Sequence, residues 1–261
     1  MTESLYLGGN TFPDYSSQPK PTVAAPWMQL TPDGAINAYD FTGLLYPTMM
    51  FRSTKFPKLE LTFPDAVNVD YLAYNWSGQD AALVFPSAVS MVSVMNATYS
   101  LNTASIAAPV CLKADYAFAG SGVTQVEVSL PLATSIQYLC FNCAKLQALQ
   151  LNAPVCTDVT ALIGSCSSLE EVTLELPKAT KGEGFAQNCV NLKRLHVTWP
   201  NISSLGTAFM NTGLDAAALN ELFESLPTHT SGTHNITITG SAGAADCDAT
   251  IAEQKGWTVI R

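Results

Sequence analysis

The chain has 261 residues, of which 48% are hydrophobic and only 13% charged, with a formal net charge of −9. So few Lys and Arg, 12 in all, exclude a nucleic-acid backbone as partner, since phosphate binding needs clustered basic side chains, and they disfavour electrostatic docking to anionic lipid. No apolar run approaches the roughly eighteen residues that a membrane-spanning helix needs, so direct insertion is not expected, and the length accommodates one or two domains or one elongated one.

Residues 1–50 hold six prolines and show no period. The first stretch, MTESLYLGGNTFPDYSSQPKP, has an acid near its start, no basic cluster and no apolar core, and does not read as a signal peptide. The expected location is the cell surface or medium if a leader has been removed, and the virion or cytoplasm otherwise. Tyr6, Phe12, Trp27, Phe41 and Tyr46 are interspersed through the segment. Two readings fit it: an irregular N-terminal cap, or a segment that docks onto a larger assembly.

From residue 51 to 214 the sequence repeats. Pro64, Pro86, Pro109, Pro131, Pro154, Pro177 and Pro200 recur at intervals of 22, 23, 22, 23, 23 and 23. Apolar residues alternate before them: Leu59, Leu61 and Phe63; Val126, Val128 and Leu130; Leu149, Leu151 and Ala153; Val172, Leu174 and Leu176; Leu195, Val197 and Trp199. Alternation over five residues predicts a short half-buried strand, which Pro closes because it lacks the amide a ladder requires. Downstream comes a bulky apolar residue (Phe118, Phe141, Ile163, Phe185 or Phe209), then a small turn, then Val123, Leu146, Leu169, Leu192 or Leu214. One such unit cannot bury its apolar edge alone, whereas stacked units bury a continuous core. The prediction is a repeat solenoid of stacked parallel strands with short irregular or helical arms.

Residues 215–261 predict an α/β cap. In LDAAALNELFESLP, Ala218, Leu219, Leu222, Phe223 and Leu226 fall on one helical face, ended by Pro227. HNITITG gives a strand with Ile236 and Ile238 inward. A short helix capped by Asp248 and stopped by Gly256 follows, then a last strand over 257–260. The expectation is that these elements continue the sheet.

The units LQALQLNAPVCTDVTALIGSCSS, LEEVTLELPKATKGEGFAQNCVN and LKRLHVTWPNISSLGTAFMNTG resemble the BspA-type, or Treponema pallidum-type, leucine-rich repeat. That unit, about 23 residues long and so inside the leucine-rich-repeat range, runs Leu-x-x-Leu-x-Leu-Pro, then Ile or Val, Phe, an Asn-Cys or Gly-Cys turn and the next Leu. The likeness covers residues 59–214 and weakens in DAALVFPSAVSMVSVMNATYS, where Asn and Tyr stand at the Phe and Cys places. It implies a leucine-rich-repeat fold and a role in adhesion or partner binding, as in bacterial surface or secreted proteins and proteins of parasitic protists. The C-terminal segment is similar to those that close such arrays in gut Bacteroidales proteins and in their phages.

Cys143, Cys166 and Cys189 each fall twelve residues after a Pro, and Cys111 and Cys156 two after. Fixed columns predict reduced core thiols. A redox or zinc role for the Cys140/Cys143 pair would need a thioredoxin-like context or a second pair, and neither is visible. Cys247 lies outside the columns and is expected to be exposed. His229 and His234 flank a turn as loop residues or, less simply, a metal pair. No motif for a phosphate loop, nucleophile elbow or zinc protease occurs, and the strand carboxylates Glu60, Glu127 and Glu175 are too widely separated for glycosidase work. No enzyme activity, cofactor or metal is therefore expected. Trp76, Tyr74 and Tyr99 lie in the arms as core or exposed aromatics.

The outward strand positions form a ladder of small and polar groups. Its candidate binding face is Glu127, Ser129, Gln150, Asn152, Thr173, Glu175, His196 and Thr198. The expected function is non-enzymatic recognition of a protein or glycan, with a phage tail or fibre-associated subunit as the alternative.

Overall fold

The computed structural model describes residues 4–7, 10–13 and 41–261. Near the N-terminus, β1 (Ser4–Leu7) and β2 (Asn10–Pro13) pair as an antiparallel hairpin. The cap or docking role expected for residues 1–50 otherwise lies largely outside the described residues.

Seven five-residue strands follow at the predicted places: β3 (Lys58–Thr62), β4 (Asp80–Val84), β5 (Thr103–Ala107), β6 (Gln125–Ser129), β7 (Ala148–Asn152), β8 (Glu171–Glu175) and β9 (Arg194–Thr198). β3–β7 pair in parallel and in register, as β8 and β9 do separately, so that Glu60, Ala82, Ser105, Glu127 and Gln150 form one row across β3–β7. The chain is thus a β-solenoid in which partners on adjacent coils stand 22 or 23 positions apart, as Asn75 does from Ser53 and Ser87 from Pro64. Alternate strand residues point inward, and one continuous apolar core runs from Phe41 to Trp257. Coil geometry begins before the expected boundary at residue 50. Phe41 stacks on Phe63 at 4.3 Å, and the Leu45 carbonyl accepts the Val67 amide as Val67 accepts that of Val89.

The alternation between shorter and longer coils has one source. The path from the first residue of each strand to a fixed buried column (Lys58 to Trp76, Thr103 to Ser121, Arg194 to Thr212) has the same length in every coil. The return from that column to the next element takes four residues after Thr54, Trp76, Ser121 and Thr212, and five after Thr98, Cys143, Cys166 and Cys189. Three of the short returns place Gly one or two positions after the column residue: Gly78, Gly122 and Gly213. A Cβ on Gly122 would lie 2.0 Å from the Tyr99 carbonyl oxygen of the coil below, and one on Gly78 2.1 Å from that of Phe56. The short path fits only where the backbone passes that closely.

The arms are not helical. Every second arm amide donates to the next coil, as Tyr138, Cys140 and Asn142 do to Thr160, Leu162 and Gly164 at 2.7–2.9 Å. The intervening amides of Leu139, Phe141 and Cys143 close four-residue turns onto Ile136, Tyr138 and Cys140. Two left-handed residues four positions apart produce this alternation: Tyr71 and Asn75, Ser93 and Ala97, Tyr116 and Gly120, Tyr138 and Asn142, Ala161 and Ser165, Gly184 and Asn188, with φ from +51° to +67°. A non-glycine residue there costs about 1–2 kcal/mol, offset by a second ladder of coil-to-coil hydrogen bonds. Single parallel bridges from Asn68 through Ser90, Lys113, Ser135, Asp158 and Lys181 to Ser204 add a third.

The cysteine column belongs to a wider hydroxyl-and-thiol column: Thr54, Thr98, Ser121, Cys143, Cys166, Cys189 and Thr212, all buried, with Trp76 the one large member. Cys143, Cys166 and Cys189 donate to the carbonyls of Phe118, Cys140 and Ile163 in the coil below at 3.0–3.1 Å, and Thr54 and Thr98 donate to Phe51 and Met95 within their own coil. Two expectations are corrected. In the weaker repeat, Met95 and Thr98 occupy the Phe and Cys places, not Asn and Tyr. In the coil of Pro131 the inward residue is Cys140, while Phe141 is half-buried and meets Tyr138 edge-on at 5.4 Å.

At the C-terminal end α1 (Ala216–Ser225) is capped by Asp215, which accepts the Ala218 amide at 2.9 Å. Leu219, Leu222 and Phe223 are buried. Then come β10 (His234–Thr237), one helical turn α2 (Thr250–Glu253) and β11 (Trp257–Ile260). Asp248 caps that turn through the amide and hydroxyl of Thr250. The cap does not continue the strand sheet. α1 lies beside β9, and β10 pairs with β11 as a separate parallel sheet tied to the arm side by the Gly206–Ile236 bridge. A helix beside the last strand shields an edge that would otherwise template further pairing. Cys247, expected outside, is 5% exposed; Arg261 folds back and donates to its carbonyl at 2.8 Å.

Candidate functional site

The outward side chains of β3–β7 form three rows. The first is Lys58, Asp80, Thr103, Gln125 and Ala148; the second Glu60, Ala82, Ser105, Glu127 and Gln150; the third Thr62, Val84, Ala107, Ser129 and Asn152. β4 and β5 carry only Ala82 and Ser105 in the middle row, between the long side chains of Glu60 and Glu127. The result is an open trough of about 380 Å³ across the strands. Its floor is small and apolar, and its walls offer carboxylates, carboxamides and hydroxyls. Lys58 forms an ion pair with Glu60, and Asp80 accepts the Thr103 hydroxyl at 2.6 Å. Glu60 and Glu127 are three strands apart, roughly 14 Å at the parallel-strand spacing, beyond the roughly 5–9.5 Å typical of glycosidase pairs.

All eight candidate residues are on the outward face, but the structure does not gather them into one patch. Glu127, Ser129, Gln150 and Asn152 lie on the five-stranded sheet, where Asn152 donates to the Ser129 hydroxyl at 3.2 Å. Thr173, Glu175, His196 and Thr198 lie on the separate sheet of β8 and β9. His196 sits 3.2 Å from the Glu221 carboxylate of α1 and helps hold the cap. Glu127 and Gln150 border the trough. Of the trough's outward residues, Glu60, Ala82 and Ser105 were outward positions left out of the candidate face, and the whole first row, Lys58, Asp80, Thr103, Gln125 and Ala148, was missed. Period-two alternation extended one step toward the strand start would have included that row.

The remaining candidates do not line the trough. Trp76 is buried; Tyr74 is half-buried under the Arg52 guanidinium, 5.6 Å from its ring centroid; Tyr99 is 68% exposed on a five-residue return. The arm face also carries Tyr116 stacked on Tyr138 at 4.6 Å. His229 and His234 stack at 3.7 Å over Trp257 and bond the carbonyls of Ile202 and Ser203 at 3.0 and 2.7 Å, stitching the cap to the last coil. Among the described residues no group of three or more His, Cys, Asp or Glu is placed to hold a metal ion.

All seven cysteines are free and buried. Burial pushes the thiols of Cys111 up to about 11 and of Cys156 and Cys189 up to about 12. Cys140 is held well above the ordinary range by its hydrogen bond to Cys143 and by burial. A thiolate at these positions lacks a neighbouring cation, which is the opposite of a reactive-cysteine environment.

No helix among the described residues is long and apolar enough to cross a membrane. Comparisons with protein-family models, curated proteins and solved structures return no match.

Proposed function

We propose that this protein is a non-enzymatic recognition module that presents the sheet face of its solenoid to a protein or glycan partner. The observation that carries the reading is the trough over β3–β7: a concave polar surface with a small-residue floor, held on a backbone whose strands pair in register from end to end of that sheet. A site built on paired strands is pre-organised, so little ordering entropy opposes binding. The likeness of the repeat to the adhesion-associated BspA type supports the same reading.

A glycan array and a pull-down with the full chain, repeated with Ala82→Trp, test it. The indole would fill the trough while Ala82, exposed on an outward row, leaves the core untouched. Loss of at least tenfold in affinity for the retained partner is expected. A partner held equally well by the filled variant, or turned over chemically, contradicts the proposal.

A further inference from the structure

The strand ladder is continuous from β3 to β7 and again from β8 to β9, yet among the described residues no backbone hydrogen bond joins β7 to β8. The closing bonds of the other coils make the interruption plain. The Leu130 amide donates to Asn152 and that of Leu176 to Thr198, both at 2.8 Å, but Ala153 makes no such bond to Glu175. At the strand start, Gln147 donates to Thr124 and Lys193 to Glu170, with no equivalent from Glu170 to Gln147; the coils part only after the return, where the Ser168 amide still donates to Ala144 at 3.1 Å.

Burial changes at the same place. Leu151 is only half-buried, whereas its row mates Leu61, Leu83, Ile106, Val128, Leu174 and Val197 are buried, and Leu149 at 8% is the most exposed of its own row.

The arm side does not part. Tyr138, Cys140 and Asn142 remain bonded to Thr160, Leu162 and Gly164. The Cys166 thiol reaches the Cys140 carbonyl at 3.1 Å, and the bridges from Ser135 to Asp158 to Lys181 are unbroken.

We infer that the solenoid hinges at the β7–β8 seam, with β3–β7 and the part from β8 to the C-terminal cap as two stiff blocks joined along the arm ladder. The strand side opens and closes, and the arm side is the pivot. The seam runs between Gln150 and Asn152 on one block and Thr173 and Glu175 on the other, so opening changes the curvature of the outward face. A solenoid coil touches only its neighbours, so one unpaired interface flexes without loosening the others.

Amide hydrogen exchange on the intact protein tests the hinge. Strand register directs the amides of Leu149, Leu151, Ala153, Glu171, Thr173 and Glu175 across the seam. They are expected to exchange at least tenfold faster than those of Val126, Val128 and Leu130 one coil back, while those of Tyr138, Cys140 and Asn142 stay protected. An oxidised Gln150→Cys/Thr173→Cys pair is expected to slow the seam amides tenfold and leave β4–β6 unchanged. Seam amides as slow as those of β6, arm amides as fast as the seam, or a closed disulfide without added protection would each overturn the hinge.

Discussion

Gly120 and Gly122 lie two residues apart and separate the two backbone constraints of this fold. Gly120 is left-handed, with φ +67°, and a Cβ there would meet nothing within 4 Å. Its Ala variant bears only the left-handed cost of about 1–2 kcal/mol, reduced by the lost freedom of glycine in the unfolded chain. About 1 kcal/mol is the expected net, and Ala97 already occupies the equivalent position at φ +58°. Gly122 is not left-handed, but its Cβ would lie 2.0 Å from the Tyr99 carbonyl oxygen and 2.8 Å from the Tyr99 carbonyl carbon. These are backbone atoms of the coil below and cannot swing aside. The return must lift by more than an ångström, straining the bond from the Gly122 amide to the Thr98 carbonyl, 3.1 Å long. Overpacking costs about 1–3 kcal/mol, and a lost hydrogen bond adds about 0.5–1.5, so about 3 kcal/mol is expected. At roughly 2–4 °C per kcal/mol for a chain of this size, Gly122→Ala should melt about 6–12 °C below the parent and Gly120→Ala only a few degrees below. Calorimetry with matched urea titrations measures both. Equal effects of the two substitutions would refute the claim that the four-residue return is set by close backbone crossing.

Leu174, 3% exposed in the strand row of the core, should cost about 2–5 kcal/mol when replaced by Ala; a urea midpoint near the parent's would mean the strand faces the other way. Thiol labelling at pH 8 should find none of the seven buried cysteines reacting promptly before denaturant is added, with Cys247 near the chain end the first to respond; rapid labelling of the Cys143, Cys166 and Cys189 column would contradict its burial. The same thiols make stability fall in alkali. Unfolded cysteines lose protons from about pH 8.5, while folded Cys111, Cys156 and Cys189 keep theirs until about 11, 12 and 12. The unfolded state then binds fewer protons, so stability declines as pH rises through that window, by about 1.4 kcal/mol per pH unit for each thiol. A flat urea midpoint from pH 9 to 11 would count against it.

Much of the fold could be read from residue spacing. The prolines at the strand ends, the alternating Val172, Leu174 and Leu176, and the helical face of Leu219, Leu222 and Phe223 are local patterns with a direct physical meaning, and the structure places each as expected. The arms were harder. Their left-handed positions hold Tyr, Ser, Ala and Asn as readily as Gly, because coil-to-coil hydrogen bonds, not intrinsic preference, hold them there. The buried column was visible only as cysteines, since its other members are hydroxyls with different partners: Thr98 donates to Met95 in its own coil, and Ser121 meets the Cys143 thiol at 3.4 Å. The trough was hidden for a related reason: it depends on which short side chains stand beside which long ones in neighbouring strands, a full coil away along the chain.

By itself, then, the sequence determined that the chain coils, how long each coil is and which strand side chains face inward, because a five-residue alternation closed by Pro buries its apolar side in only one way. Three things were decided by the assembled coils alone: the second ladder through the arms, the replacement of a further strand by α1, and the parting of β7 from β8. Each depends on backbone groups of adjacent turns meeting or failing to meet, and no single repeat carries the coordinates of its neighbour.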